Sequence, residues 1–266
     1  MNKIKLGLSP CPNDTFIFFG MLHNKVDCEG MQFEPVFADV ESLNEKAFNS
    51  ELSITKLSFH AWLFLQEKYL LLDSGAALGN GCGPILISKN ELNDEELKTA
   101  NVAIPGKNTT AHLLLKIFYP FIQNKTEMVF SAIENALLNE EIAAGVIIHE
   151  NRFTYQSKGL KKICDLGERW ETETHSPIPL GGIFTRTSEG NKFHDSINRI
   201  IKRSVEYAWL HQPETMQFVK LFSQEMSEAV MIQHINLYVN DFTLSLGAEG
   251  NKAIAILKNK FNTFLV

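Results

Sequence analysis

The stretch Ala144-Gly145-Val146-Ile147-Ile148-His149-Glu150-Asn151-Arg152-Phe153-Thr154-Tyr155 decides how this chain is read. Its β-branched run, Val146 to Ile148, has the pattern of a strand buried on both faces. The run stops at an imidazole, and polar and aromatic residues follow at once. In open α/β sheets ligands bind beyond the carboxyl ends of the strands, so a histidine delivered there faces a cleft rather than the core. Histidine is also the side chain whose ordinary pKa suits proton transfer near neutrality. Taken alone, a histidine at a strand end is more often a hydrogen-bonded structural residue. Strand alternation sends Glu150 to the opposite face, away from any cleft.

Outward from this strand, apolar runs alternate with helical patterns. Strands are expected at Ile4–Ser9, Gln32–Ala38 and Leu52–Thr55, and helices at Asp14–His23, Glu41–Phe48 and Ser58–Gln66. Pro84–Lys89 reads as extended and Asn90–Thr99 as a polar stretch. A second set follows: a strand at Val102–Pro105, a helix from Thr110 to Tyr119, a strand at Met128–Phe130, and a helix from Ala132 to Glu140. Gly181–Thr187 is a further strand, and the pattern is helical from Phe193 to Phe261. Such alternation predicts α/β units with a mainly parallel sheet. The order favours two lobes: residues 1–88, then 89–180, then a return to the first lobe over 181–266. That is the arrangement of bilobed solute-binding proteins, with the ligand between the lobes. A single sheet flanked by helices is the alternative.

A chain of 266 residues, 44% hydrophobic, buries one large core or two small ones. Its net charge of −6 offers no basic surface for nucleic acid. No apolar run approaches the ~20 residues that span a bilayer, so no membrane insertion is expected. Gly7, Pro10 and Pro12 interrupt the start where a secretory segment would be continuously apolar, so the chain is expected to be mature from its first residue and cytoplasmic. The four cysteines form no C-x-x-C pair and predict neither a zinc site nor a disulfide framework. Cys11, between two prolines, reads either as a nucleophile or, preferably, as a small buried thiol. None of the eight histidines stands in H-x-x-x-H or H-E-x-x-H spacing, so no metal is expected. Ile197, Ile200, Ile201, Val205 and Ala208 recur at helical spacing and form a core-facing stripe. No feature fixes an oligomeric state.

Three other strand ends break the local pattern. Ser9-Pro10-Cys11-Pro12-Asn13-Asp14-Thr15-Phe16 sets a rigid turn, with Asn13 or Asp14 suited to capping the next helix. In Thr55-Lys56-Leu57-Ser58-Phe59-His60 a strand runs into a helix start, where Lys56, the Ser58 hydroxyl and free N–H groups can take an anion. The plain alternative is an N-cap beside a solvated lysine. Pro105-Gly106-Lys107-Asn108-Thr109-Thr110-Ala111 repeats the arrangement in the second lobe, without the G-x-x-x-x-G-K-[ST] spacing of a nucleotide-binding loop. Leu78-Gly79-Asn80-Gly81-Cys82-Gly83-Pro84 reads as a tight turn entering the interlobe hinge. Two helix starts from opposite lobes, with a histidine between them, describe a site for a small anionic molecule.

The same segments carry a family resemblance. Ser9–Phe18, Thr55–Ser58, Pro105–Ala111 and Ile147–Tyr155, with Pro179–Ile183 and Tyr238–Asn240, resemble the 1,4-dihydroxy-6-naphthoate synthases of the futalosine route to menaquinone. The resemblance implies the type 2 periplasmic-binding-protein fold in an intracellular enzyme. It implies conversion of cyclic dehypoxanthinylfutalosine to 1,4-dihydroxy-6-naphthoate with release of a small ketose, a carbon–carbon lyase reaction, and no metal or organic cofactor. The family's catalytic histidine maps to His149. Its substrate-contacting segments map to Lys56, Leu57 and Ser58 and to Thr109 and Thr110. Asn13 or Asp14 is expected to orient the imidazole or a substrate hydroxyl, and Arg152 to form a local salt bridge in preference to reaching the ligand. The competing reading is a cytosolic binder or sensor of a small aromatic carboxylate that does not turn it over.

Overall fold

The computed structural model describes residues 3–223 and 227–264. The chain runs β1 (Ile4–Leu8), α1 (Pro12–Leu22), β2 (Phe33–Phe37), α2 (Val40–Phe48), β3 (Ile54–Ser58), α3 (Phe59–Phe64), β4 (Tyr69–Leu71) and β5 (Ala77–Gly79). It continues through β6 (Ile85–Ser88), α4 (Asp94–Thr99), β7 (Val102–Ile104), α5 (Thr110–Phe118), β8 (Lys125–Glu127) and α6 (Ile133–Leu138). Then come β9 (Ala144–Ile147), α7 (Asn151–Thr154), β10 (Lys161–Asp165) and α8 (Leu166–Thr174). It closes with β11 (Ile178–Arg186), α9 (Asn191–Leu210), α10 (Gln212–Phe222), α11 (Glu228–Tyr238), α12 (Asp241–Leu244) and α13 (Gly247–Phe264). The expected helical run from Phe193 to Phe261 thus holds as five helices, except that residues 224–226 lie outside the described residues.

The strands form two sheets. The first has the order β2-β1-β3-β11-β4, with β5 also on β11, and the second β10-β6-β9-β7-β8. Both are mixed rather than mainly parallel. β1 runs parallel to β2 and β3, and β7 parallel to β8 and β9, while β11 and β6 pair antiparallel with their neighbours. β6, expected within the first lobe, pairs in the second sheet, so the passage between sheets lies between β5 and β6, in the glycine segment. β11 returns the chain to the first sheet.

Local patterns explain most elements. Pro12 at the first helical position fixes φ where no N–H is needed, so α1 starts there and Cys11 is its N-cap, without a side-chain cap bond. Asn13 and Asp14 are therefore in the first turn rather than capping it. Beyond its polar first turn α1 is apolar on every side, and it is buried from Pro12 to Met21, as a helix enclosed by others must be. Its neighbours are α9, α10 and α11, and Ile197, Ile200, Ile201, Val205 and Ala208 of α9 are fully buried against it, as the stripe predicts. A second apolar cluster runs through both sheets, holding Leu57, Phe59 and Phe184 together with Val102, Leu114 and Ala144. β3 extends to Ser58, which is also the N-cap of α3, so Lys56 and Leu57 end the strand and Ser58 joins it to the helix start, as the segment predicts. The strand expected at Met128–Phe130 is β8, three residues earlier, because Phe130 turns into a short 3₁₀ segment.

Candidate active site

The carboxyl ends of β1, β3, β7 and β9, two parallel pairs from different sheets, converge on one cavity of about 650 Å³, counted with its open mouth. That size suits a small organic ligand. His149, Lys56, Leu57, Ser58, Thr109, Thr110, Asn13 and Asp14 all line it, although they come from turns up to 136 positions apart (149 minus 13). Its lining is mixed: Ser9, Asn13, Asp14, Lys56 and Ser58 supply polar groups, and Val40, Leu57, Ile148 and Leu180 supply apolar surface.

The polar groups form a chain of fixed donors and acceptors. Asp14 accepts the Ser9 backbone N–H at 3.0 Å and the Asn13 amide at 2.9 Å, and its Oδ1 lies 3.0 Å from Lys56 Nζ. Lys56 is buried and ion-paired, not solvated. The ion pair is close but not aligned as a hydrogen bond, so the ammonium keeps donors for a ligand. Asn13 gives its NH₂ to Asp14, which turns its carbonyl oxygen toward His234 Nε2 at 2.9 Å. His234 must therefore donate from Nε2, which leaves Nδ1 as a bare lone pair.

His149 reaches the cavity through an unusual backbone. β9 ends at Ile147, and His149 takes φ of 58°, a left-handed conformation uncommon outside glycine and associated with functional sites. The imidazole packs edge-on against Phe130, centroids 4.9 Å apart, and stacks on His234 at 6.2 Å. Its Nε2 is buried with no hydrogen-bond partner. Burial lowers its pKa to about 4, against the opposing pull of Asp14, so the ring is neutral at pH 7 and holds a free lone pair. This is the state a general base needs.

The start of α5 also lines the cavity, and its free donors are not the side-chain hydroxyls. Thr109 Oγ1 donates to the Gly106 carbonyl and accepts the His112 N–H, capping α5. Thr110 Oγ1 donates to the Leu180 carbonyl and accepts the His60 N–H. Both hydroxyls are spent on the framework. The backbone N–H groups of Thr110 and Ala111, at the start of α5, have no protein acceptor among the described residues, and both residues line the cavity, where the helix dipole favours negative charge. Gly106 makes the turn possible: its φ is +141°, and a Cβ there would lie 2.6 Å from Glu41 side-chain carbons. The Glu41 carboxylate crosses between the halves to take the Asn108 N–H and side-chain amide at 3.0 and 2.6 Å. Ser58 is held by Asn44 through both its N–H and its oxygen, leaving its hydroxyl hydrogen for the cavity.

Other expectations change. Glu150 does not point away by strand alternation, because the strand has ended; it is buried, with a carboxylate oxygen 3.9 Å from His234 Nδ1. Arg152 pairs locally with Asp165 at 2.9 Å and bonds the Gly83 carbonyl. Cys11 is a buried thiol whose pKa burial pushes well above its usual value, which removes it as a nucleophile. His234 carries no signal, since on α11 it looks like an ordinary member of a mixed helical face; Tyr238 is marked only by the resemblance at Tyr238–Asn240. The Tyr238 hydroxyl donates to the Cys82 carbonyl at 2.9 Å and so ties α11 to the intersheet segment.

Two α/β sheets with a ligand-sized cavity between them, walled by strand ends and helix starts, define a bilobed protein of the periplasmic-binding-protein type. Solved structures share that fold: the alkanesulfonate-binding protein of Xanthomonas axonopodis pv. citri bound to MOPS superposes with a TM-score of 0.74 at 13% identity, over 99% of this chain and 93% of that one. A protein of Archaeoglobus fulgidus superposes with a TM-score of 0.93 at 33% identity, over 99% and 98% of the two chains. Residues 4–262 match the family described as "Menaquinone biosynthesis". The 1,4-dihydroxy-6-naphthoate synthase of Thermus thermophilus is 40% identical over 97% of this chain and 93% of its own length. The Streptomyces coelicolor synthase of the same name is 37% identical over 95% and 90%. The chain belongs to this menaquinone-biosynthesis family of 1,4-dihydroxy-6-naphthoate synthases.

Proposed function

We propose that this chain is a carbon–carbon lyase of the futalosine route. It converts cyclic dehypoxanthinylfutalosine to 1,4-dihydroxy-6-naphthoate and releases a dihydroxyacetone-like fragment. The observation that carries this reading is the neutral imidazole of His149, its Nε2 without a hydrogen-bond partner, in the wall of a cavity lined by both polar and apolar side chains. His149 takes a carbon-bound proton from the substrate. The electron pair left behind drives cleavage of the carbon–carbon bond to the sugar remnant, which leaves as the ketose, and the second ring becomes aromatic.

The bicyclic core lies against Leu57, Ile148 and Leu180, and its carboxylate takes the Thr110 and Ala111 N–H groups and the Ser58 hydroxyl. Lys56, Asp14 and Asn13 hold the sugar hydroxyls near the base. Aromatisation supplies the driving force, so the protein contributes binding, exclusion of water and one proton acceptor, worth about 10²–10⁴-fold for a placed base. No step draws on a metal or an organic cofactor, and the ligand is a small anion rather than a nucleic acid or a membrane. The proposed compartment is the cytoplasm. Incubating the purified protein with the cyclic futalosine derivative tests the reading: equal amounts of naphthoate and ketose support it. Binding without either product would make the chain a sensor of the compound.

A further inference from the structure

Around the base lies a cluster of groups, and apart from His149 itself the reaction uses none of them. Cys11 Sγ, a ring nitrogen of His149 and a carboxylate oxygen of Glu150 all lie within 4.8 Å of one another. His234 Nδ1 stands 3.9 Å from Glu150 Oε2, fully buried and without a hydrogen-bond partner. Its lone pair is forced to be bare, because Nε2 is committed to the Asn13 carbonyl.

We propose that Cys11, His149 and Glu150, with His234 Nδ1 as the fourth donor, form a binding site for a zinc-class divalent cation whose occupancy withdraws His149 from the reaction. A thiolate, two imidazoles and a carboxylate are a zinc-type donor set. His234 already has the form of a metal-ligating histidine, with one nitrogen bare and the other donating to a carbonyl that fixes the ring. Charge also balances: a thiolate and a carboxylate neutralise a dication, which a buried site requires. The thiol gives up its proton to solvent on binding, so each ion taken up releases one proton from Cys11. Donors about 2.0–2.3 Å from a tetrahedral ion stand about 3.3–3.7 Å apart, so Cys11, His149 and Glu150 must close by up to about 1–1.5 Å, and His234 Nδ1, 3.9 Å from Glu150 Oε2, must move in with them. The ion enters past His149, the member of the set that lines the cavity.

Binding is independent of the proposed reaction, whereas the inhibitory effect rests on His149 being its base. The test uses the purified, metal-stripped protein. Titration with Cd²⁺ should produce a thiolate-to-cadmium charge-transfer band that saturates at one ion per chain and is absent in Cys11→Ser. Zn²⁺, measured by competition with a chromogenic chelator, should bind once per chain. Cys11→Ser and His234→Gln should each weaken it by more than the ~10–100-fold that losing an outer-shell partner costs. Zn²⁺ should arrest turnover of the wild type, and Cys11→Ser should relieve the arrest. The absence of the wild-type Cd²⁺ band, which needs no variant to fold, would overturn the site. So would equal Zn²⁺ affinity in Cys11→Ser. A cysteine-dependent Zn²⁺ site that leaves turnover untouched would overturn the blockade, while the assignment of His149 as base stands or falls separately on the rate of His149→Asn.

Discussion

The Lys56 ammonium and the Asp14 carboxylate meet 3.0 Å apart with their side chains 8% and 1% exposed. They join β3 to the first turn of α1 across the floor of the cavity. Removing one partner leaves the other charge buried and unpaired, at a cost of about 3–5 kcal/mol. Lys56→Met and Asp14→Asn should each lower unfolding stability by that order in urea titrations, whereas the double variant should recover part of the loss. Additive losses would show that the two charges do not act as a pair.

The pH dependence of turnover follows from the neutral base. His149 is held near 4 by burial, and only its unprotonated form accepts a proton. The value of kcat/KM should therefore be flat through neutrality and fall on the acid side, through a limb well below 6. A limb near 6.5, the ordinary histidine value, would place the working imidazole in water.

Stability should share that direction. His60 and His112 are also held near 4 by burial, and burial lowers His234 as well. The unfolded chain takes up protons below about 6.5 while the folded chain resists until about 4. Stability from these groups is thus complete above pH 6.5 and lost as pH falls through 4. Calorimetry should give a Tm that declines steadily between those values; a constant Tm would contradict the buried, neutral rings.

Gly106 tests the turn that presents the anion site. Gly106→Ala adds a Cβ 2.6 Å from Glu41 at a φ of +141°. The strain is of order 1–3 kcal/mol, and it displaces the Asn108–Glu41 contact and the start of α5. KM should rise more than kcat falls, since the change touches binding and not the base. An unchanged KM would remove the α5 N-terminus as the anion's seat.

The sequence made the site's position legible and left much of its chemistry hidden, for physical reasons. Strand ends followed by helix starts marked Asp14, Lys56, Thr109 and His149, because β-branched runs and prolines are local signals. Thr109 and Thr110 lie in the cavity wall, yet their hydroxyls serve the Gly106 and Leu180 carbonyls, partners that only the fold brings near. Glu150 was misplaced because alternation assumes a continuing strand, and a positive φ at His149 ends it. His234 meets Asn13 across 221 positions, with no periodicity to announce the contact. In the fold, β10 was overlooked because Lys161 and Lys162 at the sheet edge mask its extended pattern, and α4 because a polar helix with an Asn93–Glu96 capping box looks like a loop.

The most direct test of the account is a single-turnover comparison of wild type and His149→Asn with cyclic dehypoxanthinylfutalosine, following the naphthoate chromophore. Substrate binding should survive in the variant, and the rate should fall by about 10²–10⁴-fold, the worth of a placed general base. Product from both proteins at similar rates would contradict the assignment of His149. No product from the wild type would contradict the reaction itself.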